Sequence, residues 1–248
     1  MRRFGLLVVG DEILSGRRHD VHLRSVIELL AEYRQALAWC RYVSDDLADL
    51  TAALRDSMAT DDIVFVTGGI GATPDDRTRQ AAADASQRPL LPHPEGVAIL
   101  EDVFEGDIYP NRVHMAHFPA DAELIPNPVN RVSGFFVDEH YFVPGFPKMA
   151  HPMLRWVMQQ HYIDLAPSLA VTEGFKIAGI VESQLTPLLE ELEEDWPDIQ
   201  IYSLPNARDG DRFIETGVKG YQPKTIQKAL DDLRNRLKDR YPKDIQFL

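Results

Sequence analysis

Ile63-Val64-Phe65-Val66-Thr67-Gly68-Gly69-Ile70-Gly71-Ala72-Thr73-Pro74-Asp75-Asp76-Arg77-Thr78 is the stretch that decides the fold. Its first five residues form an unbroken buried-type strand, the kind covered on both faces of a sheet. Three glycines in the next four residues let the chain adopt positive φ and bring its amides close to a ligand. Thr73 then reads as an N-cap, Pro74 as the first helical position, and Asp75 and Asp76 as first-turn acids. The pattern predicts a helix from Thr73 to Ala85. Ligands of open α/β sheets bind beyond the carboxyl ends of strands. A helix N-terminus there adds N–H groups and partial positive charge, which suits an anion, most simply a phosphate. The stretch matches neither G-x-G-x-x-G nor G-x-x-x-x-G-K-[ST], so neither a Rossmann nor a P-loop reading holds.

The same alternation extends on both sides. Phe4–Val9 is another continuous apolar run, ending at Gly10. Asp20–Leu37 has helical spacing with Asp20 as a plausible N-cap, Trp39–Val43 reads as a strand, and Ser44–Met58 as a helix. This β-α-β-α-β-α order predicts a three-layer α/β domain with a mainly parallel sheet. Glu95–Phe104 and Asn111–His117 suit helices. Phe135–Val137 and Tyr141–Val143 suit a hairpin, and Pro147–His161 a helix. A break near Leu165-Ala166-Pro167 divides the chain into domains 1–165 and 166–248. The second is a small α+β unit of β-α-β-β-α order: Leu169–Ile180, Ser183–Glu194, Ile199–Leu204, Arg212–Lys219 and Pro223–Tyr241.

Composition sets limits on function. The 248 residues are 44% hydrophobic and 26% charged, which excludes wholesale disorder. With 26 Lys+Arg against 39 Asp+Glu, the formal charge is −13, which argues against nucleic-acid or membrane-surface binding. No apolar run reaches a membrane span, and Phe4–Val9 is too short for a signal-peptide core. The single cysteine, Cys40, excludes an intrachain disulfide and fits a reducing, cytoplasmic location.

The acids raise a question of chemistry. A phosphate at the glycine loop would face Asp75 and Asp76, and a divalent cation such as Mg²⁺ between them would resolve the conflict. Gly10-Asp11-Glu12-Ile13-Leu14-Ser15-Gly16-Arg17-Arg18-His19-Asp20-Val21-His22 also follows a buried strand, so a parallel sheet places it at the same edge. Asp11, Glu12 and Asp20 are its candidate acids, acting or merely capping. His19 and His22 have metal-site spacing, though a solvated or hydrogen-bonded pair explains them as well. Val143-Pro144-Gly145-Phe146-Pro147 follows a strand too, and an ordinary turn accounts for it. No G-x-S-x-G is present.

Three segments together resemble the molybdopterin-binding domain family. That family includes the molybdenum-cofactor biosynthesis proteins and the N-terminal region of the competence/damage-inducible protein CinA. Gly10–Gly16 is similar to its G-[TD]-E-[IL]-L-x-G, and Thr67–Thr78 to its T-G-G-[LI]-G-x-T-x-D-D-x-T, with Ala72 at a position that is usually proline. Pro144–Pro147 resembles its P-G-x-P. The resemblance spans about residues 4–160 and is closest to the CinA branch. CinA's terminal deamidase domain has no counterpart in these 248 residues. The resemblance implies a phosphate-side loop of Thr67, Gly68, Gly69, Gly71 and Thr73, with Glu12 and Gly145 beside it. It implies Asp76 and Asp20 as ligands of Mg²⁺, Mn²⁺ or Co²⁺, with Asp75 and Asp11 as further catalytic acids. The implied ligand is molybdopterin, another phosphorylated pterin, or an ADP-containing nucleotide. The implied activity is metal-dependent pyrophosphate hydrolysis of ADP-ribose or FAD type. A homodimer or homotrimer is implied as well. One departure stands out: where relatives carry D/N-T-N, this chain has Asp20-Val21-His22. The alternative is a non-catalytic ligand-binding or interaction protein on the same fold.

Overall fold

The computed structural model describes residues 2–206, 213–243 and 245–248. Two compact units divide between Ser168 and Leu169. The first runs β1 (Phe4–Val9), α1 (Asp11–Leu14), α2 (His22–Glu32), β2 (Leu37–Val43), α3 (Leu47–Met58), β3 (Ile63–Thr67), α4 (Thr78–Ser86), β4 (Leu90–Pro92) and α5 (Pro94–Val103). A 3₁₀ turn over Arg112–Ala116 follows. Then come β5 (His117–Pro119), β6 (Glu123–Ile125), β7 (Gly134–Val137), β8 (His140–Val143) and α6 (Pro147–His161).

The six-stranded sheet has the order β2-β1-β3-β8-β7-β6. β2, β1, β3 and β8 are parallel, while β7 and β6 pair antiparallel. Strand alternation sends side chains to two cores. Phe4, Leu6, Val8, Phe65 and Tyr141 pack with Val26 and Leu30 of α2 and Met153 and Val157 of α6. Leu7, Val9, Val64, Val66 and Phe142 pack with Leu50 and Leu54 of α3 and Ala81 and Ala85 of α4. Helices on both faces of a mostly parallel sheet make this an α/β fold. The β7–β8 hairpin closes through Asp138 and Glu139, both at positive φ (48° and 59°), as a tight two-residue turn requires.

Two sequence expectations change at helix ends. The helix expected from Thr73 begins at Thr78. Thr78 donates its amide to Gly69 O and its hydroxyl to Gly68 O, so it, not Thr73, joins loop to helix. The helix expected through Leu37 ends at Glu32. There Arg34 takes a φ of 57° and the Gln35 amide closes on Leu30 O, freeing Leu37 to begin β2.

The second unit holds β9 (Val171–Ala178), α7 (Glu182–Asp195), β10 (Gln200–Asn206), β11 (Phe213–Gly220), α8 (Pro223–Arg240) and β12 (Gln246–Phe247). Its antiparallel sheet, ordered β10-β11-β9-β12, packs Ile177, Ile214 and Val218 against Leu188 of α7 and Leu233 of α8. Arg212, the expected start of β11, lies outside the described residues. The two-residue β12 was not expected, being too short to leave a pattern. Among the described residues no helix is long and apolar enough to cross a membrane.

Candidate functional site

Because β1, β3 and β8 are parallel neighbours, the turns after Val9, Thr67 and Val143 emerge at one sheet edge. Main-chain contacts bind these turns together. The Gly68 amide donates to Val143 O at 3.0 Å and the Gly10 amide to Val43 O at 3.1 Å. A Cβ on Gly68 would lie 2.4 Å from Val9 O, and one on Gly145 would lie 3.3 Å from the Gly68 Cα. At Gly68, where φ is 105°, only glycine permits this approach, while a side chain at Gly145 would press the neighbouring loop back by a few tenths of an ångström. Between the turns is a cleft of about 530 Å³, within the range of small-ligand sites. Thr67, Gly68, Gly69, Gly71, Thr73, Glu12, Gly145, Asp75 and Asp76 all line it.

The glycine loop has a distinct hydrogen-bond pattern. Its carbonyls are held from the α4 side: Gly68 O by the Thr78 hydroxyl at 2.9 Å, Gly69 O by the Thr78 amide at 3.0 Å. Across a trans peptide the next N–H points the opposite way. The amides of Gly69, Ile70, Gly71 and Ala72 make no hydrogen bond among the described residues. The loop closes after them. Asp76 accepts from the Thr73 amide at 3.0 Å and from the Thr73 hydroxyl, and the Asp76 amide donates back to Thr73 O. Asp76 is thus the clasp of the loop rather than a first-turn helix acid.

The acids are distributed otherwise than the sequence suggested. Asp20 does not line the cleft. Its carboxylate accepts from the His22 and Leu23 amides at 2.8 and 3.1 Å and from the Tyr42 hydroxyl at 2.9 Å, which caps α2 from just upstream. Asp11 does not line it either; its amide donates to Asp45 Oδ2 at 2.9 Å. Asp45 does line the cleft, a residue the sequence reading missed. Its position just past parallel β2 was the available signal. Burial raises the Asp45 carboxyl pKa, the Asp11 amide opposes this, and the charges of Asp11, Glu12 and Asp75 raise it further.

The implied cation can be tested against this donor set. Of the expected pair, Asp20 stands outside the cleft and Asp76 is bonded to Thr73. Among the described residues no three His, Cys, Asp or Glu side chains group as metal ligands. Asp20 and Asp76 are thus each engaged by protein donors, and the described residues add no cluster of three such ligands around them. His22, only 5% exposed, places Nε2 3.2 Å from Gly145 O. This contact pins the Gly145 turn to the start of α2. Burial holds the His22 pKa below its usual value, with the Gly145 carbonyl and Asp20 opposing.

The rest of the lining is mixed. The Thr67 hydroxyl and His22 Nδ1 are buried without partners among the described residues. Met115, Met149 and Phe146 supply apolar surface, while Asn127, Asn130 and Ser133 add polar groups. Met115, Asn127, Asn130 and Ser133 lie within residues 111–134, a stretch rich in Pro and Asn, and Met149 lies in α6; the sequence reading singled out none of them individually.

A family of known sequences shares this chain's α/β unit. The family described as "Probable molybdopterin binding domain" matches residues 5–163. The chain belongs to that family. Among curated relatives of this molybdopterin-binding-family protein, a CinA-like protein of Geobacter sp. (strain M21) is 31% identical over 95% of this chain and 58% of its own. A CinA-like protein of Citrifermentans bemidjiense is 30% identical over 80% of this chain and 50% of its own. The chain thus spans about half the length of the curated relatives it matches. A solved structure, CinA of unknown function from Thermoplasma acidophilum, superposes with a TM-score of 0.59 and 27% identity, covering 64% of this chain and 96% of that one.

Proposed function

We propose that the α/β unit binds a phosphorylated small molecule, a pterin phosphate such as molybdopterin or an ADP-containing nucleotide, in this cleft. The observation that carries the reading is the run of four amides, Gly69 to Ala72, unpaired among the described residues, in a cleft whose lining also holds apolar side chains. Unpaired amides on successive residues form a concavity suited to phosphate oxygens. Met115, Met149 and Phe146 offer surface for a flat ring.

A pyrophosphatase of ADP-ribose or FAD type is the catalytic version of this reading, with a divalent cation bound along with the ligand. A pure binding role is the second. It is favoured by the placement of Asp20 outside the cleft and the engagement of Asp76 with Thr73. One experiment separates them. Calorimetry with ADP-ribose, FAD and a pterin phosphate is run with Mg²⁺, Mn²⁺ or Co²⁺ and again with EDTA, alongside an assay for AMP release. Binding with AMP release supports the enzyme, and binding without it supports the second reading. No binding of any of the three refutes the proposal. Sedimentation of the same samples measures the implied dimer or trimer.

A further inference from the structure

Arg79, on the first turn of α4, is 7% exposed. No carboxylate among the described residues pairs with it. Its guanidinium donates instead to two main-chain carbonyls, Nη2 to Gly71 O at 2.6 Å and Nη1 to His114 O. Its Nε is buried without a partner among the described residues. Burial lowers its pKa from the usual value, and the charge of Asp76 opposes this. A buried cation satisfied only by neutral carbonyls is a costly arrangement, and a neutral side chain of similar length would pack there without that cost.

The surroundings give the charge a use. Glu12, Asp45, Asp75 and Asp76 line the cleft, and Arg18, also on its wall, lies 3.7 Å from Glu12. A phosphate entering there meets four acids. Arg79 stands behind the loop, and its hold on Gly71 O turns the Ala72 N–H the opposite way, as Thr78 does for Gly69 and Ile70. We propose that Arg79 is a positioning residue of the anion site, aiming the Ala72 amide into the cleft and setting an unpaired positive charge behind the amides that receive the phosphate. Through His114 O it also fixes the segment carrying Met115, so the loop and the apolar wall keep one spacing. This inference rests on the cleft being a phosphate site.

The test is a ¹⁵N NMR titration of the full chain with ADP and with adenosine, for the unaltered protein, Arg79→Met and Arg79→Lys. ADP shifts the Ile70 and Ala72 amides of the unaltered protein. Arg79→Met weakens ADP at least about tenfold, equivalent to roughly 1.4 kcal/mol, and adenosine by less than about twofold. Arg79→Lys keeps the charge but not the two-carbonyl fork, so its ADP affinity falls between the two. Equal ADP binding by Arg79→Met overturns the inference and leaves the phosphate reading standing. Equal losses for ADP and adenosine also overturn it, because they mark a structural role only. An absence of loop shifts in the unaltered protein with ADP, together with none on addition of a pterin phosphate, removes the phosphate reading and the inference together. Should Arg79→Met not fold, Arg79→Lys carries the comparison, and ADP affinity unchanged from the unaltered protein overturns the inference.

Discussion

Two turns of this protein follow buried parallel strands and begin with glycine, yet their backbones do opposite things. After β1, the Gly10–Gly16 turn closes on itself. Ile13 and Leu14 donate to Gly10 O, Ser15 to Asp11 O, Gly16 to Ile13 O, and Asp11 to the Asp45 carboxylate. After β3, α4 takes the carbonyls of Gly68, Gly69 and Gly71, and four successive amides are left without partners among the described residues. A strand followed by glycine is therefore no sign of an anion site in itself. What matters is which polar half of each peptide the fold consumes.

The sharpest way to break that comparison is one substitution in each turn. A Cβ at Gly69, where φ is 69°, would lie 2.2 Å from the Thr78 hydroxyl, whereas at Gly16, with φ 72°, it meets nothing within 4 Å. Gly69→Ala is expected to cost about 2–3 kcal/mol of stability. Its affinity for ADP should fall roughly a hundredfold, the worth of two charge-assisted hydrogen bonds. Gly16→Ala should cost about 1 kcal/mol from its left-handed backbone alone and leave ADP binding unchanged. Urea unfolding and calorimetry measure both, and comparable binding losses would erase the distinction between the turns.

A smaller effect is expected from the residue that joins loop to helix. Thr78→Val removes the donor to Gly68 O from a fully buried site and should cost about 1–2 kcal/mol by urea unfolding. ADP affinity should fall with it, and a variant as stable as the parent would show that Gly68 O needs no such partner.

Acid should weaken the α/β unit broadly. Burial lowers the pKa values of His22, His117, His140 and His151 from 6.5. The unfolded chain then binds protons more readily than the native one. This stability is complete above about pH 6.5 and is lost as pH falls through the lowered native values. Thermal unfolding at pH 7.5 and 5.5 should show a clear drop at the lower pH, and equal midpoints would contradict it.

The smallest effect concerns the cleft acids. The Asp45 carboxyl pKa is raised, so the ionised form is disfavoured in the fold and its stability contribution declines as pH rises through the native pKa. Asp45→Asn keeps an acceptor for the Asp11 amide while removing a charge. At neutral pH it should raise the midpoint slightly and tighten ADP about twofold. Weaker ADP binding would instead indicate that Asp45 serves the ligand directly, for instance through a cation.

How much the sequence foretold varies with the range of the forces involved. Ile63–Thr67 was legible to the residue because a strand buried on both faces needs unbroken apolar character. The hairpin at Asp138-Glu139 and helix α6 were legible for similar local reasons. The start of α4 was misplaced by five residues, since Thr73-Pro74-Asp75-Asp76 carries every local mark of a helix entry. A ten-residue return from Thr78 to Gly68 overrode those marks. Asp20 could be read both as a ligand and as a cap, because a carboxylate before a helix suits both roles, and the fold shows its capping bonds to His22 and Leu23.

The order of residues alone settled that apolar runs ending in glycine alternate with amphipathic helices, and hence that turns gather at one edge of a parallel sheet. Local periodicity suffices for that, because backbone pairing and burial act on every run alike. Which carboxylates reach the cleft, which amides stay unpaired and where the Arg79 charge lies were decided only by the folded chain. Those depend on contacts such as Arg79 with His114, 35 positions apart, and no short window of sequence carries the distance between them.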